Sequence, residues 1–264
     1  MLTLTSSRFA TVEELFRFKE HAFKLKKFPG YIKDQWGIKA HNRPWVERAG
    51  DFKKNQLIIE VGGGYSTLPE YLSKKYKLKA WVGDDFGIKT GDKIWSRWGN
   101  PKNYARKNRL VKYVFEPFGT FSKEYPSKYF DRIFSVSTLE HIDSCKIIDV
   151  FKDMNRCIKR GGMQVHSIDL KTVSYRQCLV NWLFDRIPKV GTYYPWLISE
   201  VKYWEETLKK SGIKIAVKSP SPFELLDRSV LVEPPDIVYK FYPPTNKSKP
   251  YGPTASLLLI IKDL

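Results

Sequence analysis

The sequence predicts an α/β fold in which a largely parallel sheet carries helices on both faces. Short β-rich runs alternate with helix-compatible segments through the middle of the chain, a pattern that builds βαβ units. The first of these runs, Gln56 to Val61, stops on three consecutive glycines ahead of a helix-compatible segment at 67–72, which reads as strand, tight turn and helix. The composition, 42% hydrophobic and 15% aromatic, supplies a packed interior and excludes a disordered chain.

Taken in order, residues 11–27 place Val12, Leu15, Phe16, Phe18, Phe23 and Leu25 near helical spacing, with Thr11 and Glu14 as a capping box. A polar loop is expected to follow. After the glycine turn and its helix, Lys79 to Gly83 reads as a second strand ending on Asp84-Asp85, and Leu110 to Phe115 as a third. Phe130 to Val136 reads as a strand, Cys145 to Lys159 as a helix stopped by Gly161-Gly162, and Met163 to Ile168 as the next strand. A helix over Trp196 to Ser211, a strand over Ile213 to Val217 and a final strand over Ser256 to Lys262 complete the expectation. The chain is divided into an N-terminal helical extension or cap (1–50) and one main domain (51–264), elaborated at about 171–204 and 219–252.

Three cysteines, Cys145, Cys157 and Cys178, show no C-x-x-C spacing, so neither a disulfide framework nor a zinc or other metal site is expected, and the cytoplasm is the natural compartment. The charged residues among the first thirty break any signal-peptide core, and the longest apolar run, 255–261, is too short to span a membrane. The net charge of +18 favours anionic partners without choosing among them, and its excess is spread along the whole chain, as on a lysine-rich solvated surface.

The chemistry concentrates at Glu60-Val61-Gly62-Gly63-Gly64 and Asp84-Asp85. Glycines after a first parallel strand let the backbone approach a ligand, since they lack Cβ and tolerate positive φ. An acid at the end of the next strand can accept both ribose hydroxyl protons. Asp85 is taken for that role, and Asp84 for a solvated turn residue.

At these residues the chain resembles the class I methyltransferases that use S-adenosylmethionine (SAM), closest to the branch often called type 11. E-V-G-G-G is similar to their D/E-x-G-x-G motif and W-V-G-D-D to their second-strand acid; Y-F-D-R-I-F-S-V-S-T-L-E-H-I at 129–142 and M-N-R-C-I-K-R-G-G-M at 154–163 resemble their fourth-strand motif and the turn before strand five. The resemblance covers about residues 55–170 and implies a Rossmann-like, seven-stranded sheet of order 3-2-1-4-5-7-6 with an antiparallel last strand. It also implies that Glu60 holds the methionine amino end, that Gly62, Gly63 and Gly64 make room for it, that Asp85 binds ribose, that Phe86 borders adenine and that Ser135 belongs to the cofactor set. S-adenosylhomocysteine would be the product. Ser66 stands where the pattern has a third glycine, and Glu116 is the only obvious acid after strand three.

Methyl transfer needs a nucleophile aligned with the leaving sulfur, and a hydroxyl acceptor gains from a base. His141, His166 and Asp169 are the candidates, each weighed against packing or hydrogen bonding. The S-V-S-T run argues against an exocyclic DNA amine methylase, the absence of Pro-Cys against a C5-cytosine enzyme, and Thr67 against the third glycine of a nicotinamide-binding G-x-G-x-x-G.

Two segments bear on the acceptor. From Lys93 to Phe115, Lys93, Arg97, Lys102, Arg106, Lys107, Arg109 and Lys112 interleave with Trp95, Trp98 and Tyr104, without an acid. That suits single-stranded nucleic acid or a phosphate-bearing sugar, or else a solvated face. Trp182, Phe184, Tyr193, Tyr194, Trp196, Tyr203 and Trp204 suit a sugar or planar substrate, or else a core. The expectation is O-methylation of a small anionic acceptor such as a nucleotide sugar, a glycan or a phosphorylated metabolite. RNA methylation and a non-catalytic SAM-binding accessory subunit are the alternatives.

Overall fold

The sheet is organised by Leu57–Val61 (β2), whose sequence LIIEV is buried along its whole length. A strand covered on both faces needs this unbroken run rather than alternation. The computed structural model describes residues 1–24, 37–89, 99–171, 194–233 and 254–264. The other strands are Leu2–Phe9 (β1), Lys79–Gly83 (β3), Val111–Val114 (β4), Phe130–Val136 (β5), Ile158–Lys171 (β6), Lys214–Ile215 (β7), Val232–Glu233 (β8) and Thr254–Asp263 (β9). The helices are Val12–Lys24 (α1), Gly37–Ala49 (α2), Leu68–Tyr76 (α3), Pro101–Lys107 (α4), Ile147–Cys157 (α5) and Tyr194–Lys210 (α6).

Among the described residues, nine strands form one sheet of order β4-β3-β2-β5-β6-β9-β1-β7, with β8 pairing β9. β4, β3, β2, β5 and β6 are mutually parallel, and β9 runs antiparallel to β6. The expected parallel core and antiparallel last strand are therefore present. The seven-stranded order needs one correction: β1 is inserted between β9 and β7, antiparallel to the first and parallel to the second.

Its sequence, LTLTSSRF, alternates weakly because a register shift between Leu4 and Ser6 interrupts the ladder. The extra residue lets Leu4 and Phe9, an odd number of positions apart, both reach the same core cluster. A second correction concerns the expected polar loop, which contains α2 despite Gly37 and the internal Pro44.

Two apolar layers flank the sheet. On one side Ile59 and Ile133 pack with Phe151 and Met154 of α5 and Trp204 and Leu208 of α6. On the other, Ile58, Val82 and Phe134 pack with Trp45 and Val46 of α2 and Leu68 and Leu72 of α3. No helix among the described residues is long and apolar enough to cross a membrane. Of the expected elaborations at 171–204 and 219–252, residues 172–193 and 234–252 lie outside the described residues.

Candidate functional site

The site is built where β2 turns into α3. Gly62 and Gly64 have φ of +65° and +51°, values that favour glycine. A Cβ on Gly62 would overlap the Thr138 methyl, and one on Gly63 would press on the Glu60 side chain. The Thr138 hydroxyl donates to the Gly62 carbonyl at 3.1 Å, so the segment after β5 clasps the turn.

Asp84, expected as a solvated turn residue, is instead buried. Its Oδ2 accepts from the Gly64 N–H at 2.8 Å and its Oδ1 from the Phe86 N–H at 2.6 Å. The carboxylate thus ties the glycine turn to the end of β3. Charge-assisted bonds to otherwise orphaned buried N–H groups are among the stronger ones, so Asp84→Ala is expected to cost about 2–4 kcal/mol, measured as a lower urea midpoint.

Asp85 is also buried. Its Oδ1 accepts from the Gly87 N–H at 3.1 Å and its Oδ2 from the Lys89 N–H at 3.3 Å. Each carboxylate oxygen can accept more than one bond, and these contacts orient the group. Phe86 follows with φ +51°, its ring edge-on to Tyr65 at 5.3 Å and tilted on Phe115 at 5.5 Å. Tyr104 meets Tyr65 edge-on at 4.9 Å. These aromatic rings wall the space beside the turn and could hold a planar heterocycle.

Glu60 is 2% exposed, and among the described residues its Oε2 has no hydrogen-bond partner. Burial pushes its pKa up to about 7, against the opposing effects of the Ser66 hydroxyl and the Arg43 charge, while Asp84 adds to the rise. A buried carboxylate with an unused acceptor is poised to take a cationic N–H donor. Together, Glu60, the glycine cradle and Asp85 fit an amino-acid ammonium at one end and a ribose at the other.

The candidate bases separate onto different surfaces. Asp169 lies at the end of β6 on the α2 side, its Oδ1 accepting from Asn42 Nδ2 at 3.0 Å. Asn42 also donates to Ser137 Oγ at 3.3 Å and accepts from Ser256 Oγ at 2.8 Å. Behind it, His41 bonds Asn42 at 3.2 Å and Glu14 at 3.3 Å. Burial raises the proton affinity of Glu14, but the bonds from His41 and Arg8 outweigh it and hold the carboxyl well below the usual range.

His166 lies on the opposite, α5 side of the sheet and is fully buried. It is 2.9 Å from Ser135 Oγ and 3.2 Å from Gln164 Oε1, edge-on to Phe151. Burial lowers its pKa to about 3, so the ring is neutral. Ser135 and His166 are thereby brought together, apart from Glu60 and Asp169. His141 ends the 3-10 turn Leu139–His141, with its side chain 77% exposed and its Nε2 3.8 Å from Glu140 Oε1.

Lys102, Arg106, Lys107, Arg109 and Lys112 are exposed, and Lys112 Nζ stands 3.7 Å over the Trp81 ring. Residues 93, 95, 97 and 98 of this stretch lie outside the described residues. So do Trp182, Phe184 and Tyr193, whereas Trp204 is a core residue. Sequence reasoning missed Asn42, Arg43 and Thr138 as site residues; only Thr138, within the fourth-strand motif, carried a signal.

No family model matches the chain, and no curated protein matches it. Among solved structures it is similar to a SAM-dependent methyltransferase from Aquifex aeolicus, with 14% identity, 90% of this chain and 97% of that one covered, and a TM-score of 0.45. A SAM-dependent methyltransferase from Archaeoglobus fulgidus gives 14% identity, 83% and 92% coverage and 0.44. Geranyl diphosphate C-methyltransferase from Streptomyces coelicolor A3(2), in complex with Mg2+, geranyl-S-thiolodiphosphate and S-adenosyl-L-homocysteine, gives 11% identity, 84% and 75% coverage and 0.44.

Proposed function

We propose that this chain is a SAM-dependent methyltransferase acting on a small anionic acceptor, with O-methylation as the reaction. The observation that carries this is Glu60: a buried carboxylate with one oxygen that has no hydrogen-bond partner among the described residues, just before a turn in which a Cβ on Gly62 or Gly63 would press on neighbouring side chains. Bound SAM would supply an electrophilic methyl group on its sulfonium.

The chain's own residues then have distinct tasks. Glu60 accepts the ammonium of the methionyl end, Asp85 accepts from the ribose hydroxyls, and Phe86 with Tyr65 borders the base. Asp169, held by Asn42 at the carboxyl end of β6, is the favoured acceptor of the substrate proton, with exposed His141 second. His166 serves better as a buried tether to Ser135, since a ring this hard to protonate is a weak base near neutral pH. The proposed setting is the cytoplasm, where free thiols such as Cys145 and Cys157 stay reduced.

The test is transfer of labelled methyl from SAM to nucleotide sugars, other phosphorylated metabolites and RNA. Wild type should label one of these pools, and labelling of none would oppose the reading. Asp85→Ala should still fold, with a melting temperature lowered by loss of the bonds from the Gly87 and Lys89 N–H groups, and should weaken SAM binding about tenfold or more, since each well-made hydrogen bond to a charged group contributes about 1.5–3 kcal/mol; unchanged affinity would overturn the ribose assignment. RNA as acceptor is the second reading, favoured by the exposed basic residues of α4 and β4. It requires binding that weakens steeply with salt.

A further inference from the structure

We propose that Arg43 of α2 is a cofactor-binding residue that pairs with the carboxylate of the methionyl end while Glu60 takes its ammonium. The N-terminal helical segment would thereby complete the cofactor site. This rests on the SAM-binding reading given above.

The placement of Arg43 follows from its neighbours along the helix. Glu47, one turn later, accepts from Tyr71 Oη at 3.2 Å, Lys75 Nζ at 2.5 Å and Tyr76 Oη at 3.0 Å, so that flank of α2 faces α3. Residues four apart share a helix flank, which puts Arg43 on the same side. Asn42 fixes the level: its side chain reaches Ser137 and Asp169, at the carboxyl ends of β5 and β6. Arg43 therefore stands toward the start of α3, where the glycine turn lies.

Two further contacts tie this corner together. Ser137, bonded to Asn42, precedes Thr138, which clasps Gly62. The Arg43 charge also reaches Glu60, where it favours the ionised carboxylate against burial.

Chemistry supplies the remaining step. An amino-acid zwitterion carries opposite charges on one carbon, and a site offering only Glu60 would repel the carboxylate while attracting the ammonium. A guanidinium on the flank of α2 that faces this corner, its charge reaching Glu60, removes that conflict and can bind a carboxylate through two parallel N–H bonds.

The experiment compares SAM with decarboxylated SAM, which keeps the amine and lacks the carboxylate, by calorimetric titration of wild type, Arg43→Ala and Arg43→Gln. Both variants should bind SAM about tenfold or more weakly and decarboxylated SAM with a clearly smaller loss, the part that reflects the support the Arg43 charge gives to ionised Glu60. Equal losses for the two ligands, or no loss for SAM in a variant with the wild-type melting profile, would overturn the assignment of Arg43 alone. Wild type that binds neither ligand would remove the SAM-binding reading and this inference with it.

Discussion

Glu60→Gln is expected to weaken SAM binding at least ~30-fold while making the cofactor-free protein more stable. Both effects have one cause. The carboxylate is buried, and one of its oxygens has no hydrogen-bond partner among the described residues, which suits an incoming ammonium and is costly without one. Its pKa in the folded protein, about 7, lies above the usual 4.5 of an exposed glutamate.

The sign follows from linkage. The folded state holds the proton more tightly, so the stability it contributes is complete below about pH 4.5 and is lost as pH rises through 7. By then the loss approaches about 3 kcal/mol. Glutamine removes that pH dependence, so the variant should gain most at pH 8 and little at pH 4.5, read from urea midpoints. Wild-type SAM affinity should rise with pH through 7, because the ammonium binds the ionised carboxylate. A variant that binds SAM normally, or melts lower than wild type at pH 8, would contradict the role given to Glu60.

Gly62→Ala should be the most damaging single methyl addition at the site. The position requires φ +65° and its Cβ would overlap the Thr138 methyl, so backbone strain and overpacking act together. The expected cost is about 2–4 kcal/mol, or roughly 5–15 °C in melting temperature. Thr138→Ser removes the obstructing methyl and keeps the hydroxyl that donates to the Gly62 and Val136 carbonyls. The double variant should therefore recover about 1 kcal/mol or more relative to additivity. Strict additivity would show that the clasp is not what constrains the turn.

The elements that were legible in the sequence are those whose signal is local. LIIEV before three glycines, KAWVG before two acids, and FDRIFSV are short β-rich runs, the first two with their own stop, and the structure has strands there. β1 was missed because its threonines and serines hide a strand whose partners, in β9, lie at the other end of the chain. α2 was missed because Gly37 and Pro44 lower its intrinsic propensity, while its position is set by contacts such as Asn42 to Asp169 and Glu47 to Lys75.

The candidate site divides the same way. Glu60, the glycines and Asp85 could be read from spacing, but the latch formed by Asp84 could not, because its partner Gly64 lies across the turn. Arg43 left no trace in spacing at all. His166 shows the converse: its place near the end of a strand suggested a crevice, yet strand alternation turns it to the α5 side.

The central claim is tested most directly by calorimetric titration of the purified wild-type protein at pH 8 with SAM and S-adenosylhomocysteine, with NAD as control. Micromolar binding of the adenosyl ligands without binding of NAD is the predicted result. Absence of SAM binding at pH 8, where Glu60 is ionised, would contradict it and leave a doubly wound sheet whose glycine turn serves another purpose.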